Sequence, residues 1–212
     1  MLSRIFAIAL LLAAILVANT GCLPQYQKIS FVSDSMGYYD QAVIKAEIEA
    51  DGGDVVSYLA TPYTTVWNNP NLVAQIKSPN NNIVVVTFGI NEASALGWDG
   101  DRPASKTIQQ VAAEWQAKKD LATQYGKCLV WVTTQNASPL NQSPLLEKLQ
   151  ALNWWIRSNT VEAEWQPTVD YNINYQGATW VNHADGGFHP KAGTWGPHAF
   201  GIKIREAINS GC

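Results

Sequence analysis

Positive charge is scarce in this chain: its 212 residues carry 14 Lys plus Arg against 17 Asp plus Glu, a formal net charge of -3. No basic stripe is available to follow a phosphate backbone, which argues against a nucleic-acid partner. There are only three His and three Cys, with no paired-Cys motif and no two His spaced i, i+4 around a Glu, so a metal site is not supported. No Gly-rich phosphate cradle follows the first strand-like run, and the chain is read as needing no cofactor. The longest unbroken apolar run, Ile5 to Ala18, falls short of the roughly 20 residues a membrane-spanning helix needs. Internal repeats, low-complexity tracts and a second composition regime are all absent, which leaves a single domain as the working unit.

What is present begins with that apolar run. Arg4 precedes it, and together they read as an export signal, with residues 1–21 set apart from a domain over 22–212. Ala18-Asn19-Thr20-Gly21-Cys22 has the Thr-Gly-Cys of a bacterial lipoprotein box but Asn19 where an aliphatic residue is usual, so lipidation at Cys22, simple cleavage and an uncleaved anchor are all open. The expected location is outside the cytoplasm, secreted or lipid-anchored at the cell envelope. Parity favours processing at Cys22, because Cys128 and Cys212 then form a natural disulfide pair. Cys128 opens a strand and Cys212 ends the last helix, which should run back to the edge where strands begin. A bridge closing so long a loop stabilises by roughly 4 kcal/mol on the chain-entropy argument.

Strand-like and helix-like segments alternate. Strands are expected at 28–33, 55–59, 83–88, 129–134 and 168–171, with helical patterns near 38–50, 72–76, 107–125 and 143–158 and a final helix running to Ile208. Ile83-Val84-Val85-Val86-Thr87-Phe88 and Leu129-Val130-Trp131-Val132 do not alternate, which suits strands covered on both faces. The fold class is therefore α/β: a three-layer α/β/α sandwich around a mostly parallel, five-stranded sheet. Ligands of such sheets bind at the carboxyl ends of the strands.

Four segments fall at those ends. Ser33-Asp34-Ser35-Met36-Gly37 stops the first strand abruptly and can lift the Ser35 hydroxyl above the sheet edge. Phe88-Gly89-Ile90-Asn91-Glu92 follows the third strand, and His183-Ala184-Asp185-Gly186-Gly187-Phe188-His189-Pro190 follows the last. Ala60-Thr61-Pro62-Tyr63-Thr64, after the second strand, is the least defined. The nine Trp and eight Tyr are a heavy aromatic load, explained first by core packing, although an exported protein can also stack sugars or acyl chains on a few of them. The acids of Trp98-Asp99-Gly100-Asp101 read as an exposed turn rather than a cation site.

The order of these blocks resembles the SGNH hydrolases, also called GDSL-type esterases and lipases, over nearly the whole mature chain. Their early Gly-Asp-Ser motif is matched by Ser33-Asp34-Ser35, their Gly-x-Asn-Asp block by Gly89-Ile90-Asn91-Glu92, and their Asp-x-x-His-Pro block by Asp185 to Pro190 with one extra residue between Asp185 and His189. The resemblance implies a flavodoxin-like sheet and a serine esterase. Ser35 is then the nucleophile, His189 the general base and Asp185 its orienter, with Asp170 as the alternative orienter. Asn91 and the Ser35 amide are the implied oxyanion donors. The family's second-block Gly has no counterpart after Leu59, so that oxyanion donor is either another backbone N–H, near Thr61, or missing.

This chemistry is what acyl transfer requires, since a serine hydroxyl attacks only when an imidazole removes its proton. His183 and His198 are expected to be loop or helix-surface residues. The expected substrate is a small-molecule, lipid or glycan ester handled by a monomer. The competing reading is a catalytically impaired scaffold that binds glycan or a protein partner, favoured by the missing Gly and the stretched Asp185 to His189 spacing.

Overall fold

The computed structural model describes residues 27–96, 105–134, 145–165 and 189–212. Five parallel strands, β1 (Lys28–Ser33), β2 (Asp54–Ala60), β3 (Ile83–Val86), β4 (Cys128–Thr134) and β5 (Val161–Trp165), lie in the order β2-β1-β3-β4-β5. Among the described residues, six helices accompany them: α1 (Gln41–Glu49), α2 (Leu72–Lys77), α3 (Ile90–Ala95), α4 (Ile108–Gln124), α5 (Leu145–Asn159) and α6 (Gly196–Gly211). The expected α/β sandwich with a parallel five-stranded sheet is therefore the observed fold.

The central strands owe their place to their apolar runs. Ile29, Phe31 and Val32 of β1, Val84 to Val86 of β3 and Val130 and Trp131 of β4 are all completely buried, as strands covered by helices on both faces must be. Trp115 of α4 packs against Trp131 with ring centroids 4.6 Å apart, and Trp155 of α5 meets both rings edge-on. Trp165 and Phe200 make a second pair at 5.2 Å across β5 and α6. Core packing thus accounts for these tryptophans, and the buried Trp131 indole is satisfied by donating to the Phe88 carbonyl at 2.9 Å.

The fifth strand corrects one expectation. It lies at Val161–Trp165, ahead of the expected 168–171, and the latter segment lies outside the described residues. Val161-Glu162-Ala163-Glu164-Trp165 alternates because it is an edge strand: Ala163 and Trp165 are buried, while Glu162 and Glu164 reach out to pair with Arg157 at 2.9 and 3.1 Å. A search for continuous apolar runs passes over such a strand. The short helix α3 is not among the helical segments expected from the sequence.

Because β1 is flanked by β2 on one side and β3 on the other, the chain reverses its direction of travel across the sheet between β1 and β3. That switch point opens a crevice at the carboxyl ends of these two strands, where Ser35 and Asn91 follow. At the opposite end of the sheet, Cys128 and Cys212 are joined in the expected disulfide, with Cα atoms 5.8 Å apart across a sequence separation of 84. The bond ties the last helix to the start of β4. Replacing both cysteines by serine is expected to lower unfolding stability by about 2–4 kcal/mol, with a matching loss on reduction of the wild type. Denaturant unfolding with and without reductant measures it, and equal midpoints under both conditions contradict the expectation.

Candidate active site

The site begins with the way β1 ends. Ser33 closes the strand, and Asp34 caps a single 3₁₀ turn, Ser35–Gly37, its Oδ1 accepting the Met36 N–H at 2.9 Å. Ser33 Oγ accepts the Gly37 N–H at 2.7 Å and meets Thr87 Oγ1 at 2.5 Å. The turn is drawn so tightly against the strand that a Cβ on Gly37 would collide with the Phe31 ring and come within 2.7 Å of Ser33 Oγ. As the first residue of the turn, Ser35 keeps a peptide N–H that no turn of helix can use, and its hydroxyl is held at a partly exposed position.

His189 enters this turn from the far end of the chain. Its Nε2 lies 2.6 Å from Ser35 Oγ, and its ring packs edge-on against Tyr39 with centroids 5.9 Å apart. The contact joins residues 154 positions apart. His198 sits elsewhere, on the surface of α6, with Nδ1 2.7 Å from Glu47 Oε1 and its ring stacked on Trp195. Asp185, Asp170, His183, Cys22 and the Trp98 to Asp101 segment lie outside the described residues.

Asn91, near the start of α3, is drawn toward the same turn. Its Nδ2 donates to the Thr64 carbonyl at 2.9 Å and to Asp34 Oδ2 at 3.3 Å, so both its N–H bonds are held by protein acceptors. Thr61 does not offer the expected donor. Its N–H is spent on the Ser33 carbonyl at 2.9 Å, continuing the β1–β2 ladder by one step. What this loop contributes is an acceptor, the Thr64 carbonyl, together with Tyr63, which stands at φ 62° with 87% of its surface exposed.

No family model matches the sequence, and no curated protein matches it. Solved structures do resemble the fold. The acetylxylan esterase Axe2 from Geobacillus stearothermophilus superposes with a TM-score of 0.59 at 14% identity, over 87% of this chain and 93% of that one. An alpha/beta hydrolase, LAE5, from the metagenome of Lake Arreo, Spain, gives 0.63 at 13% identity over 87% and 94%. A protein described as a GDSL-like lipase from Parabacteroides merdae gives 0.61 at 13% over 87% and 98%. The chain shares the fold of these proteins, a parallel five-stranded sheet between helix layers.

Where the chain departs from the SGNH blocks, the replacing side chains are used. Ser33, in place of the family Gly, supplies the hydroxyl that ties Gly37 to Thr87. Glu92, in place of the second acid, is fully buried, and its Oε1 accepts the Val66 N–H at 2.8 Å, which fixes the loop after β2. Sequence reasoning assigned neither role, because each depends on which backbone N–H lies opposite in the fold.

Two buried carboxyls, Asp34 and Glu92, hold the turn that carries Ser35 and the loop after β2. Burial pushes Glu92 up to about 7, opposed by the N–H groups it accepts from, Val66 first among them. Burial likewise pushes Asp34 well above its ordinary value, against the pull of the Met36 N–H, and the neighbouring Glu92 charge adds to the push. Both folded values exceed those of the unfolded chain, so from about pH 4.5 to 7 the unfolded state has released a proton that folded Glu92 still holds. Stability therefore falls as pH rises through that window, by at most about 1.4 kcal/mol per pH unit from a single such group. Denaturant unfolding is expected to give greater stability at pH 5 than at pH 8, with a shallower slope in Glu92→Gln. A profile that rises across this range in the wild type contradicts the assignment.

Proposed function

We propose that this chain is an exported serine esterase that cleaves carboxylic esters through Ser35 and His189. The observation that carries the reading is the 2.6 Å approach of His189 Nε2 to Ser35 Oγ on a fold whose solved neighbours include an acetylxylan esterase and a GDSL-like lipase. In the first half-reaction His189 takes the Ser35 proton as Oγ bonds the ester carbonyl carbon. The tetrahedral oxyanion is met by the Ser35 N–H and by an Asn91 Nδ2 hydrogen turned away from Thr64 or Asp34. Collapse breaks the bond to the alkoxy oxygen, which leaves as the alcohol with the proton from His189. Water then attacks the acyl-Ser35 ester with the same imidazole as base, releasing the acid and restoring the hydroxyl. Asp185 is proposed to orient His189. No cofactor takes part in these steps.

The leaving alcohol has to lie beside the imidazole that protonates it. A cavity of about 230 Å³ lined by Tyr39, Pro190, Lys191 and Ala192 adjoins His189 and is the proposed place for that half of the substrate. The disulfide and the apolar segment after Arg4 support export, with Cys22 as the proposed lipidation point. A monomer acting on a glycan, lipid or small-molecule ester fits this reading.

The second reading, an impaired scaffold that binds glycan or a protein partner, draws on the Asn91 amide being occupied by protein acceptors and on Thr61 having no N–H to offer. Hydrolysis of p-nitrophenyl esters of graded chain length, run beside acetate release from acetylated glycan, separates the two. Turnover is expected in the wild type. Ser35→Ala abolishes it, and Asn91→Ala lowers kcat about 100-fold. A folded wild type without turnover on any of these esters supports the binder instead.

A further inference from the structure

Asp40 occupies the N-terminal cap of α1 but does not cap it. Its carbonyl starts the helix, accepting from Val43 and Ile44, while its side chain makes no capping bond. Its backbone is left-handed, φ 51° and ψ 43°, a conformation uncommon outside glycine that Asp enters more readily than most residues. The carboxylate turns away from its own helix and accepts the N–H of Gly193 at 2.7 Å, across a sequence separation of 153. Gly193 is itself left-handed, φ 70°.

The partners on either side give this bond its consequence. Asp40 lies five residues after Ser35 and follows Tyr39, whose ring packs against His189. Gly193 lies four residues after His189, before α6 begins at Gly196. Below this level α1 and α6 are already in close contact: a Cβ on Gly201 would come within 2.9 Å of the Ile44 carbonyl oxygen, and Arg205 and His198 both pair with Glu47. That packing fixes the helices, and the Asp40–Gly193 bond adds a tie on the segment between His189 and the start of α6.

We infer that Asp40 is a positioning residue for the base: its bond to Gly193 holds the His189-bearing loop against the turn that carries Ser35. This rests on the esterase reading for its catalytic effect but not for the bond itself. A capping Asp would serve its own helix; here the carboxylate leaves its own helix end uncapped and makes a contact that spans the site.

Asp40→Gly removes the carboxylate and relieves the left-handed backbone, so it leaves the fold no less favoured locally. Asp40→Asn keeps a side-chain oxygen that can accept the Gly193 N–H. Two readouts are taken on both variants and the wild type: kcat and KM on the best ester, and amide hydrogen exchange over residues 189–195. Asp40→Gly is expected to lose about 10- to 100-fold in kcat, with KM within about twofold and an unchanged thermal midpoint. Exchange over 189–195 is expected to rise by about tenfold while the β1 and β3 amides stay protected. Asp40→Asn restores both to within about threefold. Unchanged exchange over 189–195 in Asp40→Gly overturns the bond, whatever the turnover. Faster exchange with wild-type kcat overturns the positioning role, as does an Asp40→Asn no better than Asp40→Gly. Ser35→Ala in the same assay reports on the esterase reading separately, and the exchange readout stands even where that reading falls.

Discussion

One contact, between Ser35 Oγ and His189 Nε2, depends on nearly every other feature of the fold, because its two residues arrive from opposite ends of the chain. The serine is set by the close of β1, where Ser33, Asp34 and Gly37 lock a single tight turn through three short-range bonds. The imidazole is set by the entry to α6, which is packed on α1 and tied through Cys212 to the start of β4. Neither half carries its own positioning, so the sheet and the α1–α6 pair must be right before the contact exists. An alcohol and an imidazole held this close form a proton-transfer pair, the minimum that nucleophilic acyl transfer by serine demands.

The same crevice carries a cost in stability. Asp34 and Glu92 are both fully buried, and each accepts a backbone N–H: Met36 in the turn that carries Ser35, Val66 in the loop after β2. Asp34 also reaches Asn91 and Glu92 raises the proton affinity of Asp34, so the two loops and the nucleophile turn share one buried acidic cluster. Burying carboxyls without a cation beside them is unfavourable unless they hold a proton. The site is thus organised at the expense of pH tolerance, the usual form of compromise between local order and stability at a reactive centre.

The parts of this architecture legible in the sequence are those written as local pattern. The apolar runs of β1, β3 and β4 identify buried parallel strands, the cysteine count identifies the disulfide, and the block order brings Ser35 and His189 together before any coordinates do. The rest depends on the packed fold. The fifth strand alternates because it lies at the sheet edge, where its glutamates face outward and pair with Arg157, so it carries no continuous apolar run. The N–H of Thr61 itself is taken by the Ser33 carbonyl, and backbone hydrogen-bond partners leave no trace in residue type. Asp40 falls inside the helical pattern expected near 38–50; only the position of Gly193 reveals what its carboxylate holds.

The most direct test of the central claim is the second-order rate of phosphonylation by a fluorophosphonate, with the adduct located by peptide mass spectrometry, in the wild type and in His189→Ala. The account predicts an adduct on Ser35 in the wild type and a rate lower by about 10³-fold or more when the imidazole is removed from a protein that still folds. An adduct on another residue, or a His189→Ala variant that reacts as fast as the wild type, contradicts it.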